Sequence, residues 1–177
     1  MKLLLTRHGE TDWNRTGRVL GRTDEPLNET GLRQAEELVR ALRDVPLRAV
    51  WSSPLARAAA VGRLAAESHG LICRTDPRLM EMDYGRLEGC RRDDPVYLAE
   101  KKRFFARYPG GESYLQAAGR VYPFLEELKA RYGPEDTVLL VTHNGICRIA
   151  ANYFLDMTEE EFVSFRMDNC EIRSFDL

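Results

Sequence analysis

Val138-Leu139-Leu140-Val141-Thr142-His143-Asn144-Gly145 begins as an unbroken apolar run and then stops at a histidine, an asparagine and a glycine. A short run with no polar alternation is what a strand covered on both faces looks like, and such strands belong to mostly parallel sheets. The beginning of the chain repeats the pattern: Leu3-Leu4-Leu5-Thr6 leads into Arg7-His8-Gly9. Each run places a histidine at the carboxyl end of a strand, followed within two residues by a glycine that lets backbone or ligand approach closely. In open α/β sheets, ligands bind at that end of the strands. If the two strands are neighbours, both imidazoles face one crevice.

The segments between them alternate in the way this architecture requires. Leu32, Ala35, Leu38, Val39 and Leu42 recur at helical spacing and predict a helix from about Gly31 to Arg43, capped by Asn28 or Thr30. Ala49-Val50-Trp51-Ser52 reads as a second strand, and Pro54 suits the first turn of a helix running to His69, with Gly70 as its terminator. Leu71-Ile72-Cys73 reads as a third strand. Residues 76–111 look irregular, with a short helix over Val96–Tyr108. A long helix is expected over Ser113–Tyr132, another over Ile146–Leu155, and an edge strand over Ile172–Phe175. The expected fold is a three-layer α/β sandwich with a mostly parallel central sheet flanked by helices.

Composition narrows the function. The 177 residues are 44% hydrophobic and 31% charged, as in an ordinary soluble domain, and the net charge of −2 points to neither nucleic acid nor a membrane surface as partner. Charge is uneven, however. Residues 1–22 carry five basic residues against two acids, whereas residues 156–177 carry seven acids against Arg166 and Arg173. The basic start suggests a local anion site, and the acidic end reads as a solvated surface. Cys73, Cys90, Cys147 and Cys170 lack metal-ligand spacing and are expected to be reduced thiols of a cytoplasmic protein. The leucines of the N-terminus are too few for the apolar core of a signal peptide.

Arg7-His8-Gly9-Glu10-Thr11 with Asn14 resembles the signature of the histidine phosphatase superfamily, the phosphoglycerate mutase-like group. Further blocks agree in order: Gly21–Leu27 with Thr30-Gly31 and Gln34-Ala35; Ser52-Ser53-Pro54-Leu55-Ala56-Arg57-Ala58; Leu79-Met80-Glu81 with Tyr84-Gly85 and Glu88-Gly89; Pro109–Ser113; and Val141-Thr142-His143. The resemblance spans nearly the whole chain. It implies one histidine phosphatase domain over 1–177, with residues 90–109 as a short lid. It also implies that His8 is the nucleophile, that Arg7, Arg57 and His143 bind phosphoryl oxygens with help from Asn14 and Gly21, and that Glu81 is the proton donor. Asn144, where glycine is frequent in the family, adds a polar contact. Val61 stands where threonine is common, a departure expected to leave the reaction intact.

The chemistry agrees with these residue types. Two arginines and a protonated His143 can balance a phosphate dianion, while a neutral His8 needs an acceptor, best a backbone carbonyl, to fix its tautomer. Glu81 beside a phosphate holds its proton more tightly and can give it to the leaving alkoxide. Asp83 and Glu88 are its rivals in the same loop. The expected activity is hydrolysis of small-molecule phosphomonoesters without metal or other cofactor. The alternatives are a cofactor-dependent phosphoglycerate mutase, an α-ribazole phosphatase, a metallohydrolase using His8, His143 and Glu81, and a non-catalytic binding module. Basic and aromatic residues between Gly89 and Pro109 suit an extra anionic or ring-bearing group, or else form an amphipathic helix with Phe104 and Phe105 packed inward. A monomer and a homodimer are both open.

Overall fold

A computed structural model describes residues 1–176. Five strands form one sheet: β1 (Lys2–Arg7), β2 (Leu47–Ser52), β3 (Cys73–Thr75), β4 (Thr137–Thr142) and β5 (Ile172–Asp176). Their spatial order is β3-β2-β4-β1-β5, parallel throughout except for β5, which runs antiparallel to β1. The mostly parallel sandwich expected from the apolar runs is the fold observed.

Strand alternation explains the layers. Leu3, Leu5, Ala49, Trp51, Val138 and Leu140 point to one face, where they pack with Val121, Phe124 and Leu125 of α5 (Tyr114–Arg131) and with Ile146 and Ile149 of α6 (Asn144–Phe154). Leu4, Val50, Leu139 and Val141 point to the other, meeting Ala35, Leu38 and Leu42 of α2 (Glu29–Leu42) and Ala58, Val61 and Ala65 of α3 (Ala56–Glu67). Both faces of the central strands are thus apolar because both are covered. Val61 lies wholly within this second core.

Several boundaries differ from the sequence expectation, each for a tertiary reason. Asn28, not Thr30, caps α2 by accepting from Gly31 N–H, and Leu32 is turned to solvent with 48% of its surface exposed. Pro54 lies outside α3, because Asp24 accepts the Ala56 N–H at 2.7 Å and Ser53 Oγ accepts that of Leu55. A side chain from a distant loop therefore sets where that helix starts. The third strand is Cys73–Thr75 rather than 71–73: its register is dictated by Val50, Trp51 and Ser52 of β2, while Ile72 is exposed. Within 90–109 the helix α4 covers only Pro95–Glu100; Phe104 packs on Tyr114 and Phe162, but Phe105 faces solvent. Two short helices, α1 (Asp12–Arg15) and α7 (Glu159–Ser164), were not anticipated. The Thr158–Glu161 capping box of α7 was a legible signal.

One close approach fixes the loop after β1. A Cβ built on Gly9 would lie 2.5 Å from the Gly31 carbonyl oxygen, and one on Gly31 would run into the Glu10 backbone. Backbone meets backbone here, so neither side can give way easily. Gly31→Ala is expected to destabilise the fold by about 1–3 kcal/mol, the usual cost of overpacking, seen as a Tm lowered by several degrees. An unchanged Tm would show that the loop has slack.

Candidate active site

The register of β1 and β4 pairs Arg7 with Thr142, and His8 N–H donates to the Thr142 carbonyl at 2.9 Å. The two strand-end histidines are therefore adjacent, with ring centroids 5.1 Å apart. Both are buried beneath a cleft of about 190 Å³. Arg7, His8, Asn14, Glu81 and Asn144 line it, with Arg57 and His143 directly behind.

His8 is held at both ring nitrogens. Nδ1 lies 2.6 Å from the Gly9 carbonyl, so Nδ1 carries the hydrogen and donates it. The Nε2 lone pair then accepts from Arg57 Nε at 3.3 Å. Burial, followed by the charges of Arg57 and Arg7, pushes the His8 pKa well below its ordinary value, keeping Nε2 unprotonated. Arg57 is itself fixed: Nη1 donates to the Thr23 carbonyl and Nη2 to that of Gly21, at 2.9 and 2.7 Å. Gly21 thus meets Arg57 through its carbonyl. Burial lowers the pKa values of Arg7 and Arg57 to about 10, which leaves both charged at neutral pH.

His143 differs from the expectation. Burial and then Arg57 depress its pKa well below 6.5, so it is neutral rather than protonated in this site. Its Nε2 is 2.8 Å from Ser53 Oγ, which already accepts from Leu55 N–H. With the Ser53 proton given to Nε2, Nδ1 carries the remaining hydrogen and has no protein partner. Arg7 Nε is also buried without a partner, while Arg7 Nη1 donates to the Met167 carbonyl. Asn14 Oδ1 is a third unpartnered atom; it is an acceptor, so the amide must turn over before it can donate to an anion.

Glu81 separates from its rivals by placement. Its carboxylate accepts from Met82 N–H at 2.8 Å and from Gly145 N–H, at the start of α6, at 3.1 Å. A Cβ on Gly145 would sit 2.5 Å from Glu81 Oε1, so glycine is what admits the carboxyl group. Burial raises the Glu81 pKa above its ordinary 4.5 despite those bonds. Asp83 accepts from Gly85 N–H, and Glu88 holds the backbone of Arg22 and Thr23, so both are spent on loop structure. The Glu81 carbonyl accepts from Arg22 Nε and Arg120 Nη2, and Glu112 ties both arginines together.

Sequence reasoning missed the segment after α7. Met167 accepts from Arg7 and donates to Asn144 Oδ1, Asn169 Nδ2 donates to the His8 carbonyl, and Phe165 and Arg166 line the cleft. An acidic run read as plain surface hid these neutral and basic residues behind it. The metallohydrolase alternative is weakened by the donor set, since the His8 nitrogen a cation would need already faces a guanidinium. His69 is remote and structural, bridging the Ala65 and Leu42 carbonyls. Among the described residues, no helix is long and apolar enough to cross a membrane.

Known proteins resemble this chain in sequence and in fold. A phosphoserine phosphatase 1 of Hydrogenobacter thermophilus is 32% identical over 176 residues, covering 96% of this chain and 83% of that protein. A Yersinia pestis protein named "Probable phosphoglycerate mutase GpmB" is 32% identical over 186 residues, covering 99% of this chain and 85% of its own length. The structure of a mycobacterial glucosyl-3-phosphoglycerate phosphatase superposes with a TM-score of 0.88 at 28% identity, covering 98% of this chain and 88% of that one. Residues 3–177 match the profile of the histidine phosphatase superfamily, branch 1, and the chain belongs to that family.

Proposed function

We propose that this protein is a phosphatase that hydrolyses small-molecule phosphomonoesters through a phosphohistidine on His8. The observation that carries the reading is His8 itself: an imidazole kept neutral, its tautomer locked by the Gly9 carbonyl, its unprotonated Nε2 facing Arg57 Nε.

In the first step the His8 Nε2 lone pair forms a bond to phosphorus while the ester P–O bond breaks. Arg57 Nε–H turns from Nε2 to a phosphoryl oxygen, joined by Arg7 Nε–H, His143 Nδ1–H and Asn14. Two permanent cations offset the dianion, and His143 adds a hydrogen bond through Nδ1–H. Glu81 gives its proton to the leaving oxygen. In the second step water bonds to phosphorus, Glu81 takes the water proton, and the N–P bond breaks to release phosphate.

Burial acts on both groups in the useful direction. It lowers His8 and raises Glu81, so both shifts favour the form each step needs, a neutral base and a protonated acid. The direction of both shifts supports an acid phosphatase-type activity. Residues 90–109 form one wall of the cleft and act as its lid within a single domain over 1–177, and the four free thiols suit the cytoplasm.

Phosphoglycerate mutase is the second reading, supported by the Yersinia relative. Release of inorganic phosphate from a panel of phosphomonoesters, including phosphoserine and α-ribazole phosphate, should exceed any interconversion of 2- and 3-phosphoglycerate. Efficient isomerisation with little hydrolysis would overturn the phosphatase reading.

A further inference from the structure

The cations around the cleft outnumber what one phosphate requires. Beyond Arg7 and Arg57, its outer wall holds Arg92, Lys101, Arg148 and Arg166, supplied by the loop before α4, the end of α4, α6 and the segment after α7. The only acid lining the cleft, among the described residues, is Glu81 at its floor. None of Arg92, Lys101 and Arg148 forms an ion pair, again among the described residues, and Arg166 reaches only the exposed Asp168 at 3.7 Å.

Arg148 is the built part of this wall. It is 4% exposed and lies against the rings of Tyr114 and Phe162, themselves edge-to-face, with guanidinium carbon to centroid distances of 5.8 and 5.5 Å. Nη1 donates to Tyr114 Oη and Nη2 to the Phe165 carbonyl, both at 2.9 Å, while Nε is buried with no partner. Three of its five N–H groups are therefore uncommitted. Lys101 is half-buried beside it, and burial with the charges of Arg148, Arg92 and Arg166 lowers its pKa to about 8. Like charges gathered in a partly buried cleft without a counter-ion cost stability, and such an arrangement marks a site for an anion.

We infer that Lys101 and Arg148 form a second anion subsite, which selects small phosphomonoesters whose leaving group carries its own carboxylate or second phosphate. This rests on the phosphatase reading of His8. Arg7 and Arg57 already offset the transferred group, so the outer cations face the part of the substrate that departs. A volume of about 190 Å³ holds a short chain between two anionic groups rather than a nucleotide.

The test compares phosphate release from phosphoglycolate, from ethane-1,2-diyl bisphosphate and from 2-hydroxyethyl phosphate, which has a hydroxyl in place of the second anionic group. The wild type should favour one or both acidic esters by tenfold or more in kcat/KM, as a hydrogen-bonded charge commonly contributes. Lys101→Met and Arg148→Met should each reduce that ratio about tenfold. Preference for phosphoglycolate assigns a carboxylate subsite, and preference for the bisphosphate a phosphate one. Arg148 also holds Tyr114 and Phe165, so where its variant loses structure Lys101→Met carries the test alone. Equal hydrolysis of acidic and neutral esters by the wild type would overturn the subsite while leaving the phosphatase intact. So would a preference unchanged in Lys101→Met. Hydrolysis of none of them, nor of p-nitrophenyl phosphate, would instead sink the phosphatase reading and this inference with it.

Discussion

His8→Ala should lower kcat by about four to six orders of magnitude, the scale on which enzymes lose activity when a covalent nucleophile is removed. The loss should appear together with loss of a phosphoenzyme that is labile in acid and stable in alkali, as an N–P bond is. The fold should survive, because the His8 N–H bond to Thr142 belongs to the backbone and its ring packs on His143 at the site, not within the hydrophobic cores. Circular dichroism and a Tm close to that of the wild type would separate chemical loss from unfolding. Turnover near the wild-type rate in a folded His8→Ala protein would exclude the phosphohistidine mechanism, whatever the other site residues do.

Glu81→Gln should have the next largest effect, and its pattern matters more than its size. For an alkyl phosphate, whose leaving alkoxide needs a proton, kcat/KM should fall by about 10²–10⁴-fold. For p-nitrophenyl phosphate, whose leaving group is stable as an anion, kcat/KM should fall by less than about tenfold. Because kcat in the proposed mechanism also contains hydrolysis of the phosphoenzyme with Glu81 as base, kcat should drop for both. The pH dependence follows from the signs of the shifts. In the proposed mechanism the active free enzyme needs Glu81 protonated and His8 neutral. Wild-type kcat/KM therefore falls as pH rises through the Glu81 pKa, which lies above 4.5, and falls again as pH drops through that of His8, well below 6.5. Glu81→Gln should erase the alkaline limb and keep the acid one. Equal losses in kcat/KM for the two esters would remove Glu81 as the acid.

Much of this site could be read from residues alone because its parts sit at strand ends, where local pattern and position coincide. Leu3–Thr6 and Val138–Thr142 announce buried strands, and a histidine after each can only project from the carboxyl edge of the sheet. The Gly9 carbonyl as partner for His8 was foreseeable for the same reason, since it is one residue away. What failed was non-local. The start of α3 depends on Asp24, 32 residues earlier. The extent of β3 depends on which residues of β2 it pairs with. The contribution of Met167 and Asn169 depends on a loop folding back onto Arg7 and His8, from about 160 residues away. No periodicity or motif in those stretches encodes such contacts.

The layered sheet, the two histidines, the two arginines and the acid loop were legible in the residues alone, because each is a property of a short segment. Tertiary structure alone decided how those groups behave. It made β1 and β4 neighbours, brought Lys101 and Arg148 to one wall, and withdrew His8, His143 and Glu81 from water. Protonation depends on solvation and on charges brought near through space, so whether His143 is neutral and Glu81 holds its proton is a property of the folded site and not of its motifs.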